Sequence, residues 1–245
     1  MIEQTVEIPT KDGFATTFIC HPERGGAHPV ILFFMDAPAI REELRDMVRR
    51  LASVGYYVML PNMYYRRGVM ELADLPPLDP KASMERVFDL MNSLNIDLVM
   101  DDAEALFAYA DGQAAASDGP AGAMGYCMSG QYAINAAARW PARVAAAASI
   151  YGTMLVTDRK DSPHLMAQKA DAELYFACAE VDRWAPLETI EELTQSLAST
   201  SVDAEVEIYP GVEHGFAFPQ RAAYNRDAAE RHWERLFSLF RRRLG

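Results

Sequence analysis

The 245-residue sequence predicts an α/β fold, with a mostly parallel sheet covered by helices on both faces, in one domain spanning 1–245. Short β-branched or aromatic runs alternate along the chain with longer amphipathic segments. Those runs are apolar throughout instead of alternating with polar residues, as strands buried on both faces are. Half of the residues are hydrophobic, which suffices for one large core and excludes a disordered chain.

Taken in order, residues 3–20 read as a hairpin, with Val6, Ile8, Phe14, Phe18 and Ile19 around a Lys11-Asp12-Gly13 turn. Val30 to Met35 is a continuous apolar strand. Ile40, Leu44, Met47, Val48 and Leu51 then recur on one helical face before the strand Tyr56 to Leu60. Residues 62–100 contain Leu75-Pro76-Pro77-Leu78-Asp79-Pro80 and helical segments, too much for an ordinary loop. A lid and a packed surface subdomain explain this excursion equally well. Ala121 to Tyr126 is strand-like and leads into an Ala-rich helix, Ala133 to Trp140. Strands follow at Ala145 to Ile150, Leu174 to Ala177 and Val206 to Tyr209. Pro186 begins a helix marked by Leu187, Ile190, Leu193 and Leu197. The last helix carries Trp233, Leu236, Phe237, Phe240 and Leu244, and ends in Arg241, Arg242 and Arg243, which suit a helix C-terminal dipole.

Composition narrows the function. Asp and Glu number 35 against 23 Lys and Arg, a net charge of −12, so phosphate backbones are repelled and no nucleic-acid partner is expected. No apolar run reaches the roughly 18–20 residues of a membrane span. The first residues lack a basic flank followed by an apolar stretch, so no secretory signal is expected. Three cysteines without close pairing make neither a disulfide framework nor a zinc knuckle. The expectation is a soluble cytoplasmic protein.

The stretch Gly125-Tyr126-Cys127-Met128-Ser129-Gly130 falls between a strand and a helix. A reactive atom at such a turn is exposed at the carboxyl edge of the sheet, with helix N–H groups behind it that favour a thiolate. This is a nucleophile elbow with cysteine where serine is more usual. Alone, the turn fits a buried structural cysteine equally well. Two partners change that balance. After the strand Leu174 to Ala177 comes Glu180-Val181-Asp182, and after the next strand comes Glu213-His214-Gly215. Asp182 stands 55 residues after Cys127 and His214 another 32 beyond, the order nucleophile, acid, histidine. Separately, Asp182 reads as a helix-entry carboxylate and His214 as a surface histidine. Jointly, in this order, they read as a triad. Cys20 and Cys178 read as core residues, and Ser129 as a helix N-terminal residue, since Gln131 breaks the serine pattern. His21, His28, His164 and His232 lack a second ligand at metal-binding spacing, so no metal site is expected.

The sequence resembles the dienelactone hydrolase family, cysteine-dependent members of the α/β-hydrolase fold, over nearly the whole chain. The likeness rests on Gly125-x-Cys127-x-x-Gly130, Glu180-x-Asp182-x-x-x-Pro186 and His214-x-Phe216. It extends through Arg41-Glu42-Glu43, Gly55-Tyr56 and Leu60-Pro61-Asn62-Met63-Tyr64. The resemblance implies an α/β-hydrolase fold, a triad of Cys127, Asp182 and His214, and oxyanion donors at the backbone N–H groups of Met128 and Ala37. It implies no metal or organic cofactor. It puts Asp36 where the family has a glutamate that pairs with the resting cysteine and moves when substrate enters, so Asp36 is the expected modulator of the thiol. It puts Phe218 where members acting on dienelactone have a carboxylate-binding arginine. Arg66 and Arg67, after Tyr64 and Tyr65, are the alternative source of positive charge, although paired loop arginines are usually solvated. Phe218, with Tyr64 and Tyr65 where their loop reaches the same cleft, is expected to give the substrate site an apolar surface. The expected activity is hydrolysis of a small ester or lactone through a thioester. The rival is a thiol redox sensor or binding protein on the same fold.

Overall fold

A computed structural model describes all residues, 1–245. The chain divides into two compact units, Met1–Asp118 and Gly119–Gly245. In the first, β1 (Ile2–Thr10) and β2 (Gly13–His21) form the expected hairpin, with Thr10 opposite Gly13. β3 (Val30–Phe34) is wholly buried and is followed by α1 (Glu42–Ala52) and β4 (Tyr57–Pro61). The strand order is β1-β2-β4-β3, antiparallel except for the parallel β3–β4 pair. Leu44, Met47, Val48 and Leu51 of α1 are buried, whereas Ile40 is buried just ahead of the helix. Glu42 and Glu43 in the first turn and Arg49 and Arg50 in the last turn complement the helix dipole.

The excursion at 62–100 contains two short 3-10 turns, Tyr65–Arg67 and Leu72–Asp74, then α2 (Pro80–Asn92) and the start of α3 (Ile96–Asp111). Asp79 caps α2 by accepting from the N–H groups of Lys81 and Ala82, and Pro80 occupies its first position. Only Leu90 of α2 is buried, so little apolar burial fixes this helix.

The second unit contains β5 (Ala121–Tyr126), α4 (Gly130–Arg139), β6 (Val144–Ile150), the single turn α5 (Pro163–Met166), β7 (Glu173–Val181), α6 (Leu187–Ala198), β8 (Ala204–Glu213) and α7 (Arg226–Leu244). The strands run in the order β5-β6-β7-β8, all parallel. Successive residues of a strand face opposite sides. The Tyr126 side chain reaches His232 of α7, while the Gly125 position lies against Ser129 at the head of α4, so helices cover both faces here. With four of the six strand pairings inside the units parallel, the predicted class holds. No helix is long and apolar enough to cross a membrane.

Candidate active site

β5 delivers the chain to Cys127, whose φ of 55° places a non-glycine residue in the left-handed region. That conformation costs of the order of 1–3 kcal/mol and persists only where neighbours impose it. Two glycines make the turn feasible. A Cβ on Gly125 would sit 2.2 Å from the Ser129 carbonyl oxygen, and one on Gly130 would sit 2.2 Å from Ser149 Oγ. From the other side, the Thr153 N–H donates to the Cys127 carbonyl at 3.0 Å. A short 3-10 turn, Cys127–Ser129, then feeds α4. Cys127 is half-buried, with its thiol at the N-terminal end of this helical run. Cys20 and Cys178 are buried as expected, and burial pushes their thiols up to about 11 and about 12. They stay protonated near neutral pH.

The end of β7 and the loop after β8 supply the other two groups. Asp182 Oδ2 meets His214 Nδ1 at 2.7 Å. Its second oxygen accepts from the N–H groups of Trp184 at 2.8 Å and Ala185 at 3.3 Å, which fixes the carboxylate as the chain enters α6. Asp182 is 7% exposed, so it works against a low-dielectric surround. The neighbouring Glu180 is used differently, accepting from the Gly211 N–H at 2.7 Å and holding the end of β8 that leads to His214. Burial disfavours the His214 charge, but hydrogen bonding to Asp182 and the adjacent Cys127 outweigh it and raise the histidine to about 9. The buried Nε2 has no partner other than the adjacent Cys127, which helps to raise it. A thiol, an imidazole and a carboxylate thus stand in series, with the Nε2 unclaimed by any other group.

The profile of the dienelactone hydrolase family matches residues 15–244 of the chain. The chain belongs to the dienelactone hydrolase family. A Methylorubrum extorquens protein named "Putative carboxymethylenebutenolidase" is 28% identical, over 98% of this chain and 81% of its own length. A Synechocystis protein of the same name is 27% identical, over 98% of this chain and 96% of its own. The crystal structure of a "Putative Dienelactone Hydrolase" from Klebsiella pneumoniae, 23% identical, superposes with a TM-score of 0.87 over 98% of both chains. The chain therefore has the α/β-hydrolase fold of this family and is a dienelactone hydrolase-like hydrolase.

The remaining residues singled out by the family resemblance have defined places. In the first unit, Asp36 is 1% exposed and held by both terminal nitrogens of Arg41, at 2.6 and 3.1 Å. The same guanidinium binds Glu43 through Nε at 3.0 Å, so one cation serves two buried carboxylates. Tyr64 is fully buried and donates its hydroxyl to the Ala37 carbonyl at 2.9 Å, which steadies the loop after β3. Arg66 grips Asp102 with two bonds of 2.8 Å and also reaches Asp12. Arg67 pairs with Asp89 at 2.6 Å. Both loop arginines are therefore engaged by carboxylates of their own unit. In the second unit Phe218 is 1% exposed, its ring 5.1 Å from that of Tyr126 and 6.0 Å from that of Tyr151. It belongs to the aromatic core behind β5. No group of three or more His, Cys, Asp or Glu side chains is arranged to hold a metal ion.

The segment after β6 was not singled out by sequence. Tyr151 has φ 35°, and its ring lies 4.9 Å from His214, forming one wall of the imidazole. Met154 is also left-handed, at φ 55°. Non-glycine residues carry no sequence mark of that conformation; the Thr153 contact to Cys127 and the close approach of Gly152 to Gly130 show that this segment supports the turn.

Proposed function

We propose that the protein hydrolyses a small carboxylic ester or lactone through a thioester on Cys127, with His214 as base and acid and Asp182 orienting it. One observation carries this reading: Cys127 is held in the left-handed region at a strand-to-helix turn, beside an imidazole whose far nitrogen is fixed by Asp182. His214, raised to about 9, already holds the thiol proton on Nε2 as sulfur bonds to the carbonyl carbon, and the carbonyl π electrons move onto oxygen. The Met128 N–H, at the N-terminus of the helical run, donates to that oxyanion. The family resemblance assigns a second donor to the Ala37 N–H. Collapse expels the alkoxide, which receives the proton from His214. Water, deprotonated by the same nitrogen, then cleaves the thioester and releases the acid.

The bidentate grip of Arg41 on Asp36 supports a fixed carboxylate in place of the family's mobile glutamate. Family coverage of 15–244 runs through both units, which supports a single catalytic domain. Three unpaired cysteines support a reducing, cytoplasmic setting. The test is hydrolysis of a chromogenic short-chain ester by the wild type, the alkylated protein and Cys127→Ala. Turnover lost in both modified forms fits the reading. Turnover surviving in Cys127→Ala overturns it, and no turnover coupled with rapid peroxide oxidation of Cys127 favours the redox-sensor alternative.

A further inference from the structure

We infer that Arg159, acting through Gln131, is a positioning residue for the turn that carries Cys127 and Met128. Gln131, in the first turn of α4, is 2% exposed. Its Nε2 donates to the Met128 carbonyl at 2.9 Å and its Oε1 accepts from Arg159 Nη2 at 2.8 Å. The two ends of a carboxamide have nearly the same shape, and an inverted amide would set oxygen against the Met128 carbonyl. Arg159 is a donor only, so it selects the end that faces Met128. Arg159 is itself steadied by Asp161 Oδ1, 3.0 Å from its Nε. Asn135 Nδ2 ties the same loop to α4 by donating to the carbonyls of Gln131 and Asp161, at 3.0 and 3.2 Å. The Met128 carbonyl and N–H belong to adjacent peptide planes that share one Cα, so holding the first narrows the rotations open to the second.

The inference rests on the proposed role of the Met128 N–H at the oxyanion. Arg159 is 43% exposed in its side chain, so replacing it removes the orienting contact without opening the core. The experiment uses the full chain with Arg159→Met, Arg159→Lys, Gln131→Glu and the double variant Arg159→Met/Gln131→Glu. It records kcat and KM on a p-nitrophenyl ester, the alkylation rate of Cys127 by iodoacetamide, and the Met128 amide resonance in ¹H–¹⁵N spectra. Arg159→Met lowers kcat about tenfold at unchanged KM, and Arg159→Lys restores most of it. Gln131→Glu, which keeps an acceptor for Arg159 but loses the donor to Met128, costs at least as much, and the double variant is no worse. Alkylation stays at the wild-type rate, and the Met128 resonance moves in every variant except Arg159→Lys. Full kcat with an unmoved Met128 resonance in Arg159→Met overturns the inference, as do losses that multiply in the double variant. A rise in KM alone also overturns it, placing Arg159 on the substrate instead. If Cys127→Ala retains turnover, the reading of Cys127 as nucleophile fails, and the Met128 resonance alone still decides whether Arg159 orients the turn.

Discussion

Replacing Asp182 with asparagine removes the charge that holds His214 while keeping the shape of its partner. In the wild type, burial lowers the affinity of His214 for its proton, but the Asp182 hydrogen bond and Cys127 raise the group from 6.5 to about 9. At about 1.4 kcal/mol per pH unit, that interval corresponds to on the order of 3 kcal/mol in favour of the imidazolium. The His214 side chain is 18% exposed and Asp182 1%, so solvent screening erodes this only modestly. In Asp182→Asn burial keeps its lowering effect and only Cys127 still raises the group, so His214 titrates well below 9. A raised folded-state value gives stability that is full below about 6.5 and lost as pH climbs through about 9. The wild-type melting temperature therefore falls between pH 6.5 and 9, and Asp182→Asn loses most of that slope. Its kcat drops by roughly 10³–10⁴, the scale of losing the orienting carboxylate in triad enzymes. Proton NMR titration of the His214 ring, with melting curves at matched pH, checks both parts. A His214 that still titrates near 9 in Asp182→Asn refutes the assigned cause.

Gly125→Ala forces a methyl to within 2.2 Å of the Ser129 carbonyl oxygen and 2.5 Å of its carbon, both backbone atoms that cannot swing aside. Stability falls by about 1–3 kcal/mol or more, and ester turnover falls at least about 100-fold as the thiol is displaced, measured by calorimetry and kcat/KM. Phe218→Arg does not tune the substrate site toward anions but buries a guanidinium among Tyr126 and Tyr151, at a cost of several kcal/mol seen as a lower melting temperature. Arg67→Met leaves the preference between a neutral lactone and an anionic dienelactone unchanged in a competition assay, because Arg67 is paired with Asp89. Arg41→Met removes the guanidinium shared by two buried carboxylates, Asp36 and Glu43, and lowers stability by about 3–5 kcal/mol in urea titration.

The strands were legible because their apolar runs are what a doubly covered sheet demands, and the chain order of Cys127, Asp182 and His214 follows from their places at strand ends. Lengths were less legible. β7 and β8 run on to Val181 and Glu213, which pair across the ladder although Glu180, Val181, Pro210, Gly211 and Glu213 are exposed and give no buried apolar run. α4 begins at Gly130, three residues before the Ala-rich run, because a glycine in contact with Ser149 and Gly152 gives no helical signal. Arg66 and Arg67 looked free because Asp102 and Asp89 are 36 and 22 residues away in sequence. Phe218 looked close to the site because it follows His214 by four residues. The chain turns after the histidine, with Phe216 N–H to the Glu213 carbonyl and Phe218 N–H to that of Gly215, and carries the ring into the core. Choosing Asp182 over Glu180 from sequence rested on order and resemblance. The hydrogen bonds separate them by job: Asp182 holds the imidazole, and Glu180 holds the backbone of β8 just before it.

The central claim is that Cys127 forms a covalent acyl intermediate. The direct measurement is mass spectrometry of the protein quenched in acid during turnover of a p-nitrophenyl ester, followed by peptide mapping. The account predicts an acyl mass increment on the peptide containing Cys127, removed by hydroxylamine, and neither adduct nor turnover in Cys127→Ala. Steady turnover with Cys127 unmodified, and persisting in Cys127→Ala, would contradict it.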